Sequence, residues 1–309
     1  MCIEKYITEE NKIKDKLCDF IDGELHITNV VRNCCNIAPP YELSIYVPEY
    51  KLAIEYNGLI THSEKCIKDC KYHLKKLEEC NNKGIKLIQV FEDEYNEHTE
   101  VVYEKIRHLL HKDDIKPKIF ARKCKIAHVE QPLAKEFLNK NHVQGYGTGS
   151  LYYGAYYNND LVGVMAFKQT AKGGDEWELT RFASDIHCHC VGIGGKLFNQ
   201  FIKENNPKLV KSFADRRWTL DKEHNLYVNL GFKLEYALHP DYRYVLAKEG
   251  IREHKFNFRK KHIIRKFPNE GFDMSMTERE MMLKLDIPRI YDCGLFKYVW
   301  HKNENGEES

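Results

Sequence analysis

The pattern of apolar and polar positions divides the chain into two successive runs of short helices and strands. Ile7, Ile13 and Leu17 recur at helical spacing, so the chain is expected to open on an amphipathic helix. The first run predicts a helix over 4–21, strands over 42–48 and 51–56, a helix over about 63–82, a strand over 85–91 and a helix over 97–111. Ser63 is the expected N-cap of the second helix. This order is typical of a compact α/β unit.

The second run begins after a polar segment, 112–117, that ends in Pro117. It predicts strands near 119–126, 152–157, 161–168, 177–184, 209–214, 232–236 and 242–247, with helices near 131–140, 195–204 and 223–230. A basic tail follows, and Thr277 to Glu280 fits a capping box that starts another helix. The fold class is therefore α/β (α+β), with two mixed sheets, each with helices, and a basic helical tail. The predicted domains are 1–114, 115–250 and 251–309.

Composition narrows the class of protein. The chain has 309 residues, 30% of them charged and 42% hydrophobic, with a formal net charge of +2. These values indicate a globular protein without a global basic field. The first residues are too acidic for a signal peptide, and no segment reaches the length of a membrane span. Eleven scattered Cys residues indicate reduced thiols, so we expect a cytoplasmic protein that binds no membrane.

The hairpin over 42–56 carries the first candidate site, because Glu55 interrupts the apolar strand Leu52-Ala53-Ile54-Glu55-Tyr56. A carboxylate in such a place is costly unless it is paired or binds a cation. Glu42 lies two residues before Ser44 on the preceding strand, so both point to the same face. A structural alternative is that Glu55 pairs with Lys76 or Lys71 and that His62 is an ordinary loop histidine.

Residues 42–91 resemble the PD-(D/E)xK nuclease fold, and most of all its very-short-patch-repair (Vsr) branch and related phage homing endonucleases. The resemblance implies catalytic roles for Ser44, Glu55, His62 and Lys76, with His73 as an alternative to Lys76. Ser44 stands where the family carries a metal-binding Asp, and the usual Lys of its Glu-x-Lys motif is missing. Glu42 and Glu55 would then hold Mg²⁺ or Mn²⁺. The Ser leaves open an inactive descendant that only binds DNA, or a change introduced to inactivate the protein.

Residues 120–247 resemble the GNAT acetyltransferase fold. The segment Cys190-Val191-Gly192-Ile193-Gly194-Gly195 looks like the family's turn at a helix N-terminus, which implies a phosphate or cofactor loop made of Gly192, Gly194 and Gly195. The segment 226–232 looks like its Tyr-x-x-x-Gly-Phe motif. His189 stands where the family usually has Arg or Gln, which counts against acetyl-CoA as a cofactor.

The same domain is similar in residue order to phage Mom-type proteins, which are GNAT-like enzymes that modify adenine in DNA. That similarity implies a second site of His142, Asp215 and Tyr227. Asp215 and Arg216 as a structural ion pair, with His142 packed beside Tyr146, is the alternative. Cys188-His189-Cys190 lacks the paired spacing of zinc sites and is a weaker candidate for a metal.

Basic residues mark the expected DNA contacts. Residues 251–267 hold seven Lys or Arg against the single acid Glu253, interleaved with Phe. The predicted contacts are Lys255, Arg259, Lys260, Lys261, Arg265, Arg216 and Arg217. Lysines at 65, 68, 71, 75 and 76 form a second basic face. A solvated helix face is the alternative.

The main hypothesis from sequence is a metal-dependent DNA endonuclease of the phage homing type that acts on double-stranded DNA in a bacterial host's cytoplasm. Its Ser44 leaves open that it is inactive. The rival hypothesis is a GNAT-like enzyme that modifies DNA bases or transfers acyl groups, with an N-terminal domain that only binds DNA. A non-catalytic DNA-binding protein is the third. The sequence predicts no oligomeric state.

Overall fold

A computed structural model describes residues 3–112 and 116–302 of the chain. The predicted boundary between residues 114 and 115 lies outside these described residues, as does the end of the predicted tail, 303–309. Described α-helices, in chain order, are α1 Ile3–Asp19, α2 Tyr72–Asn82, α3 Glu92–Glu97, α4 Thr99–Leu109, α5 Gln131–Asn141, α6 Ile193–Asn205, α7 Leu226–Asn229, α8 Lys260–Lys266 and α9 Glu278–Lys284.

The strands follow the same numbering. They are β1 Val31–Ala38, β2 Tyr41–Val47, β3 Leu52–Asn57, β4 Lys86–Phe91, β5 Lys118–Phe120, β6 Lys125–His128, β7 Leu151–Tyr157, β8 Asp160–Gln169, β9 Glu176–Ser184, β10 His189–Val191, β11 Leu209–Asp215, β12 Lys233–Ala237, β13 Tyr242–Leu246, β14 Ile251–His254, β15 Arg289–Tyr291 and β16 Leu295–His301. The α/β fold class expected from the sequence is confirmed.

The chain forms two compact units, and each of them is discontinuous in sequence. Unit 1 contains 1–97 and 239–294, and unit 2 contains 98–238 and 295–309. The boundaries between these units differ from the predicted domain boundaries. Most of the predicted basic tail is part of unit 1, and the predicted helix over 97–111 is part of unit 2.

Unit 1 contains a four-stranded sheet in the order β1-β2-β3-β4. The first three strands are antiparallel neighbours, while β4 runs parallel to β3 and is reached through α2. A parallel pair needs such a crossover, which explains the helix between β3 and β4. Leu43, Ala53, Leu74 and Leu87 form part of the core between this sheet and α2.

The second helix of unit 1 begins nine residues later than predicted, at Tyr72 instead of Ser63. Ser63 does not cap a helix. Its hydroxyl donates to the Ile60 carbonyl at 2.8 Å and accepts from the Lys65 amide at 3.3 Å, which stabilises a turn. The capping box at Thr277, by contrast, is confirmed at the start of α9.

A smaller three-stranded sheet in unit 1 has the order β14-β13-β15. Its core is formed by Tyr244, Phe258, Ile263, Met281 and Met282. The sequence predicts β13 as a strand but assigns it to the sheet of the second domain. The structure pairs it instead with strands of the predicted tail.

Unit 2 contains a seven-stranded sheet in the order β12-β16-β11-β9-β8-β7-β6. β16, which the sequence pattern does not predict, occupies the place next to β11 and pairs with it along its whole length. Helix α6 contributes Leu197, Phe198 and Phe201 to the main core of this unit. Phe167 stacks on Phe201 with ring centroids 3.6 Å apart, which ties α6 to the middle of the sheet. No helix among the described residues is long and apolar enough to cross a membrane.

Candidate functional site

The central feature of unit 2 is a parallel strand pair that separates partway along. β11 pairs with β9 only from Leu209 with Glu176 to Ser212 with Leu179. The Ser212 hydroxyl donates to the Leu179 carbonyl at 2.7 Å and makes the last link between the two strands. A register shift opposite Ala166 and Phe167 places a bulge in β9 at the same point. Bulges bend a strand and end its pairing, which accounts for the separation.

The separation leaves a wedge between the carboxyl-terminal halves of β9 and β11. Beyond Ser212, β11 pairs only with β16, and beyond Leu179, β9 pairs only with β8 among the described residues. Backbone N–H and C=O groups that face such a wedge are ready to bond an extended ligand. Crevices at the carboxyl ends of parallel strands are also a frequent place for ligand binding.

Asp215, the last residue of β11, lies at the mouth of this wedge. Arg217 donates to its two carboxylate oxygens, from Nε at 3.1 Å and from Nη2 at 2.5 Å. The side-chain amide of Gln144 donates to the same carboxylate at 2.7 Å. Because Arg217 is only 2% exposed, this is a buried, charge-assisted network that holds the loop around residue 144 against the end of β11. Arg217, the residue after Arg216, thus makes a structural ion pair with Asp215.

Tyr227 lies at the start of α7, on the side of the wedge next to Ser212. The side chain of Asn225 caps this short helix by accepting from the Tyr227 amide at 2.9 Å. The Tyr227 ring stacks on Tyr298 with centroids 5.0 Å apart. Burial raises the pKa of the Tyr227 hydroxyl, although a hydrogen bond with Ser212 and the nearby Arg181 charge act in the opposite direction. The hydroxyl therefore keeps its proton at neutral pH.

His142 connects to the same network indirectly. Its ring Nδ1 accepts from the backbone amide of Gln144 at 3.1 Å, and the side-chain amide of Gln144 in turn bonds Asp215. The structure thus brings Asp215 and Tyr227 close enough to interact electrostatically. His142 is linked to Asp215 through Gln144. Gln144 and Arg181 belong to this site and are missed by the sequence pattern. The only sequence signal for Gln144 is its position between His142 and Gly145 in a loop.

The predicted glycine loop lies at the N-terminus of α6. Gly192 precedes the helix with φ of +75°, a left-handed conformation that favours glycine, and no side chain caps the first turn. A Cβ on Gly194 would meet Leu226 at 3.0 Å and Phe182 at 3.4 Å, whereas one on Gly195 would meet nothing. The helix end thus lies against α7 and β9, next to the wedge, and its first amides have no acceptor within the helix.

His189 does not disturb this helix end. It lies in β10, where its backbone is paired with Lys118 of β5, and it precedes the turn by three residues. An anion bound at the α6 N-terminus would be held by backbone amides. Whether an anion can bind there therefore does not depend on the type of side chain at position 189. Cys188-His189-Cys190 does not belong to any group of three or more potential metal ligands among the described residues.

Glu55 of unit 1 is part of a closed buried network. Its carboxylate accepts from the Ser44 backbone amide at 2.8 Å and from the Ser44 hydroxyl at 2.9 Å. The Lys76 ammonium lies 2.8 Å from the same carboxylate. Glu55 is 2% exposed and Lys76 is 4% exposed. Both oxygens of this buried carboxylate are therefore bonded within the protein. This is the structural alternative that pairs Glu55 with Lys76.

Glu42 does not join Glu55. Its residue is exposed on β2, and its carboxylate lies 3.8 Å from the Cys35 sulfur. The described residues contain no group of three or more His, Cys, Asp or Glu side chains that could hold a metal ion. The expectation that Glu42 and Glu55 bind Mg²⁺ or Mn²⁺ is therefore wrong, because one carboxylate is satisfied internally and the other lies apart from it.

His62 belongs to a second buried polar cluster of unit 1. Its Nδ1 lies 3.1 Å from Nε2 of His73, and its Nε2 lies 3.6 Å from the carboxylate of Glu10. Glu10 also accepts from the Thr61 hydroxyl and pairs with Lys14. The sequence pattern places Glu10 on a polar helix and gives no sign that it is buried at 7% exposure. The cluster joins α1 to the loop that follows β3.

The predicted DNA contacts differ widely in exposure. Arg217 is buried on Asp215, and Arg216 lies over the Phe296 ring at 4.9 Å. In unit 1, Lys255 pairs with Asp241 at 2.6 Å and Lys260 donates to the Met274 carbonyl. The remaining predicted contacts, Arg259, Lys261 and Arg265, are exposed residues of the segment around α8.

Comparison with known proteins gives matches in structure alone. No protein-family description and no curated protein matches the sequence. An acetyltransferase of Bacillus subtilis in complex with CoA is 12% identical, with 59% of this chain and 100% of that chain covered and a TM-score of 0.32.

Two further acetyltransferases align to a similar degree. The ribosomal-protein-S18-alanine N-acetyltransferase of Escherichia coli is 14% identical over 60% of this chain and 99% of that chain, with a TM-score of 0.33. Aminoglycoside 6'-acetyltransferase type Ii is 15% identical over 57% and 96%, with a TM-score of 0.33. At these identities and TM-scores the likeness by itself says nothing about the reaction.

The expectation of a metal-dependent DNA endonuclease is corrected by the geometry of unit 1, where the described residues contain no group of metal ligands. Of the two carboxylates expected to hold the catalytic metal, Glu55 is bonded to Ser44 and Lys76, and Glu42 is exposed and lies apart from it. The cofactor expectation is corrected with it. Mg²⁺ has no group of three or more His, Cys, Asp or Glu ligands among the described residues.

Proposed function

We propose that unit 2 is an acyltransferase that uses an acyl thioester of the CoA type and passes the acyl group to a nucleophile, most simply an amine. The observation that carries this proposal is the wedge between β9 and β11, with the protonated Tyr227 hydroxyl on one side and the uncapped end of α6 next to it. These two features match the two parts of such a donor. The wedge matches its extended, amide-containing arm, and the end of α6 matches its anionic pyrophosphate.

The residues present fit this group. Beyond Leu179, where no described strand pairs with the β11-facing edge of β9, this edge offers backbone donors and acceptors to the amides of the arm, in the manner of an added strand. The first amides of α6 and the absence of any atom near a Cβ at Gly195 leave room for phosphate oxygens. When bound, the thioester would supply an activated acyl group and a thiolate leaving group.

Tyr227 would act as the general acid. In the transfer, the bond from the acyl carbon to sulfur breaks, and a bond from that carbon to the acceptor nitrogen forms. The departing thiolate takes the Tyr227 proton, the acceptor nitrogen loses one proton to water, and water returns one proton to Tyr227. A raised pKa suits this role, because the hydroxyl must hold its proton until the sulfur leaves. Asp215 is already bonded to Arg217 and Gln144, so its role is to position the loop and not to accept a proton.

The test combines donor binding with turnover. Titration of the full chain with CoA in a calorimeter should give one binding site, and a thiol-release assay with acetyl-CoA should show turnover with an acceptor panel of simple amines and duplex DNA. Tyr227→Phe should lower kcat by about 10²-fold or more with KM for the donor unchanged. Tyr236→Phe, on the exposed strand β12, is the matched control and should behave as wild type. Absence of CoA binding, or an unchanged kcat in Tyr227→Phe, would contradict the proposal.

A second candidate function, nucleic-acid binding, is favoured by one surface of unit 1. Residues 255–266 contain six Lys or Arg and no Asp or Glu. Phe256 is 55% exposed beside them, with Arg259 4.8 Å over its ring. Cations that face solvent next to an exposed aromatic ring suit phosphate contacts and base stacking. We propose that this surface contacts DNA.

Salt dependence tests this second candidate. Anisotropy of labelled double-stranded and single-stranded DNA should give an affinity that falls as salt rises. Lys261→Gln with Arg265→Gln should reduce the slope of log K against log salt by roughly 1.8, since each phosphate contact contributes about 0.9. Lys172→Gln with Lys203→Gln, two exposed lysines of unit 2, is the control. An unchanged slope in the Lys261 and Arg265 variant would contradict this surface as the contact.

A further inference from the structure

Lys105 on α4 is a partly buried cation whose ammonium contacts an aromatic ring. Among residues 3–112 and 116–302 no carboxylate lies within salt-bridge distance of its ammonium, and its contact is with the ring of Trp218, 5.5 Å from the ring centroid. Burial lowers the pKa of the Lys105 ammonium, which means that the protein environment disfavours its charge. A buried charge of this kind normally has a partner.

Trp218 adds a second donor at the same place. Its indole Nε1 is buried and has no acceptor in the part of the chain that the structure describes. Trp218 follows β11 in a turn in which its amide donates to the Asp215 carbonyl at 3.1 Å. Trp218 therefore belongs to the turn that directly follows Asp215 at the end of β11. Buried donors without an acceptor are rare in proteins and call for a ligand, water or ion.

The neighbouring charges are already balanced. Glu104, next to Lys105 in sequence, pairs with Lys116 and with Arg107. Asp215 accepts hydrogen bonds from the backbone amide and the guanidinium of Arg217. Neither carboxylate is placed to neutralise Lys105. Within the part of the chain that the structure describes, the site thus has the Lys105 cation and the Trp218 N–H donor in excess, which favours a ligand with anionic oxygens.

We infer that Lys105 and Trp218 form a subsite for an anionic group, a carboxylate or a phosphate, carried by the acyl acceptor. The group would place one oxygen against the Lys105 ammonium and another toward the Trp218 indole N–H. This inference rests on the proposed function for the identity of the molecule that carries the anion. The binding of the anion itself does not depend on it.

The test uses the full chain labelled with ¹⁵N-tryptophan, which has three indole N–H signals because the protein has three Trp residues. Trp218→Phe assigns the relevant signal. Titration with inorganic phosphate and, separately, with acetate should shift the Trp218 signal in a saturable manner, and the two titrations separate a phosphate from a carboxylate ligand. Lys105→Gln should weaken binding at least about tenfold. Lys105→Arg should retain it, and Lys203→Gln, on the exposed face of α6, should match wild type.

Calorimetry with CoA on the same samples separates the two proposals. If Trp218 responds to anions and CoA does not bind, the subsite stands and the acyltransferase proposal fails. If CoA binds but the Trp218 signal does not move, or moves equally in Lys105→Gln, the subsite is refuted while the acyltransferase proposal stands. In an active enzyme, Lys105→Gln should raise KM for an anionic acceptor and leave KM for acetyl-CoA unchanged.

Discussion

Replacing Lys76 by Met tests whether Glu55 is held by a structural ion pair. Lys76 is 4% exposed, and its ammonium lies 2.8 Å from the Glu55 carboxylate, which also accepts two hydrogen bonds from Ser44. Met keeps most of the length and apolar stem of Lys, so the substitution removes the charge with little change in packing. It leaves a buried carboxylate without its cation.

The expected cost follows from the burial of both partners. Removal of one member of a buried ion pair typically costs about 3–5 kcal/mol, because the remaining charge is uncompensated. The two Ser44 hydrogen bonds persist in the variant and continue to solvate Glu55, so we expect the lower end, about 3 kcal/mol. That loss corresponds to a roughly hundredfold larger population of the open state of the strands around Glu55, and so to about hundredfold faster amide exchange there.

Hydrogen exchange followed by mass spectrometry measures this locally, in peptides that cover Leu52–Asn57. Lys75→Met is the matched control, because Lys75 is adjacent on α2 but its side chain is 53% exposed in a pair with Asp69. The control should leave exchange in β3 almost unchanged. Equal exchange in the two variants would refute the reasoning. Glu55→Gln combined with Lys76→Met should cost less than the sum of the single changes.

Two further predictions concern pH and thiol chemistry. Burial alone would raise the pKa of the Glu10 carboxyl, but His62 and Lys14 outweigh it and lower the pKa to about 2. A lowered pKa stabilises the fold above about pH 4.5, and this contribution, on the order of 3 kcal/mol, is lost as pH falls toward 2. Denaturant unfolding monitored at several pH values should show a smaller loss over this window in Glu10→Gln than in wild type, and an equal loss would count against the assignment. Burial, with smaller effects of nearby acidic groups, raises the pKa of the Cys190 thiol to about 12. Iodoacetamide at pH 8.5 should therefore alkylate Cys190 at least about tenfold more slowly than the exposed Cys66, as peptide mapping would measure, and equal rates would exclude the raised pKa.

The local pattern of the chain predicted most of its elements. Apolar alternation gives β2, β3, β7 and β8 within one or two residues, because in strands half-buried on a sheet the side chains alternate between faces. Glycine at Gly192 and the capping box at Thr277 mark helix starts for reasons that lie in the backbone within one turn. The sequence also singled out Asp215 and Tyr227, which the structure places at one wedge.

Pairing between distant segments could not be predicted from the same pattern. β16 lies at the end of the chain yet pairs with β11, and β13 pairs within unit 1, because a strand's partner depends on the tertiary arrangement and not on its own alternation. The delayed start of α2 has a similar cause. Ser63 has an ordinary N-cap sequence, but it is held in a turn next to Glu64, which pairs with Arg279 and Arg289 from the far end of unit 1.

The roles of charged residues divide along the same line. The sequence by itself determined that Glu55 lies in an apolar strand and needs a partner, since a bare buried carboxylate is too costly. Only the tertiary structure decided between a metal ion and Lys76, because that choice depends on which side chain from α2 reaches the carboxylate. The separation of β9 from β11, and with it the site of Tyr227, is likewise a property of the folded sheet, since pairing is a relation between two strands that neither one encodes alone.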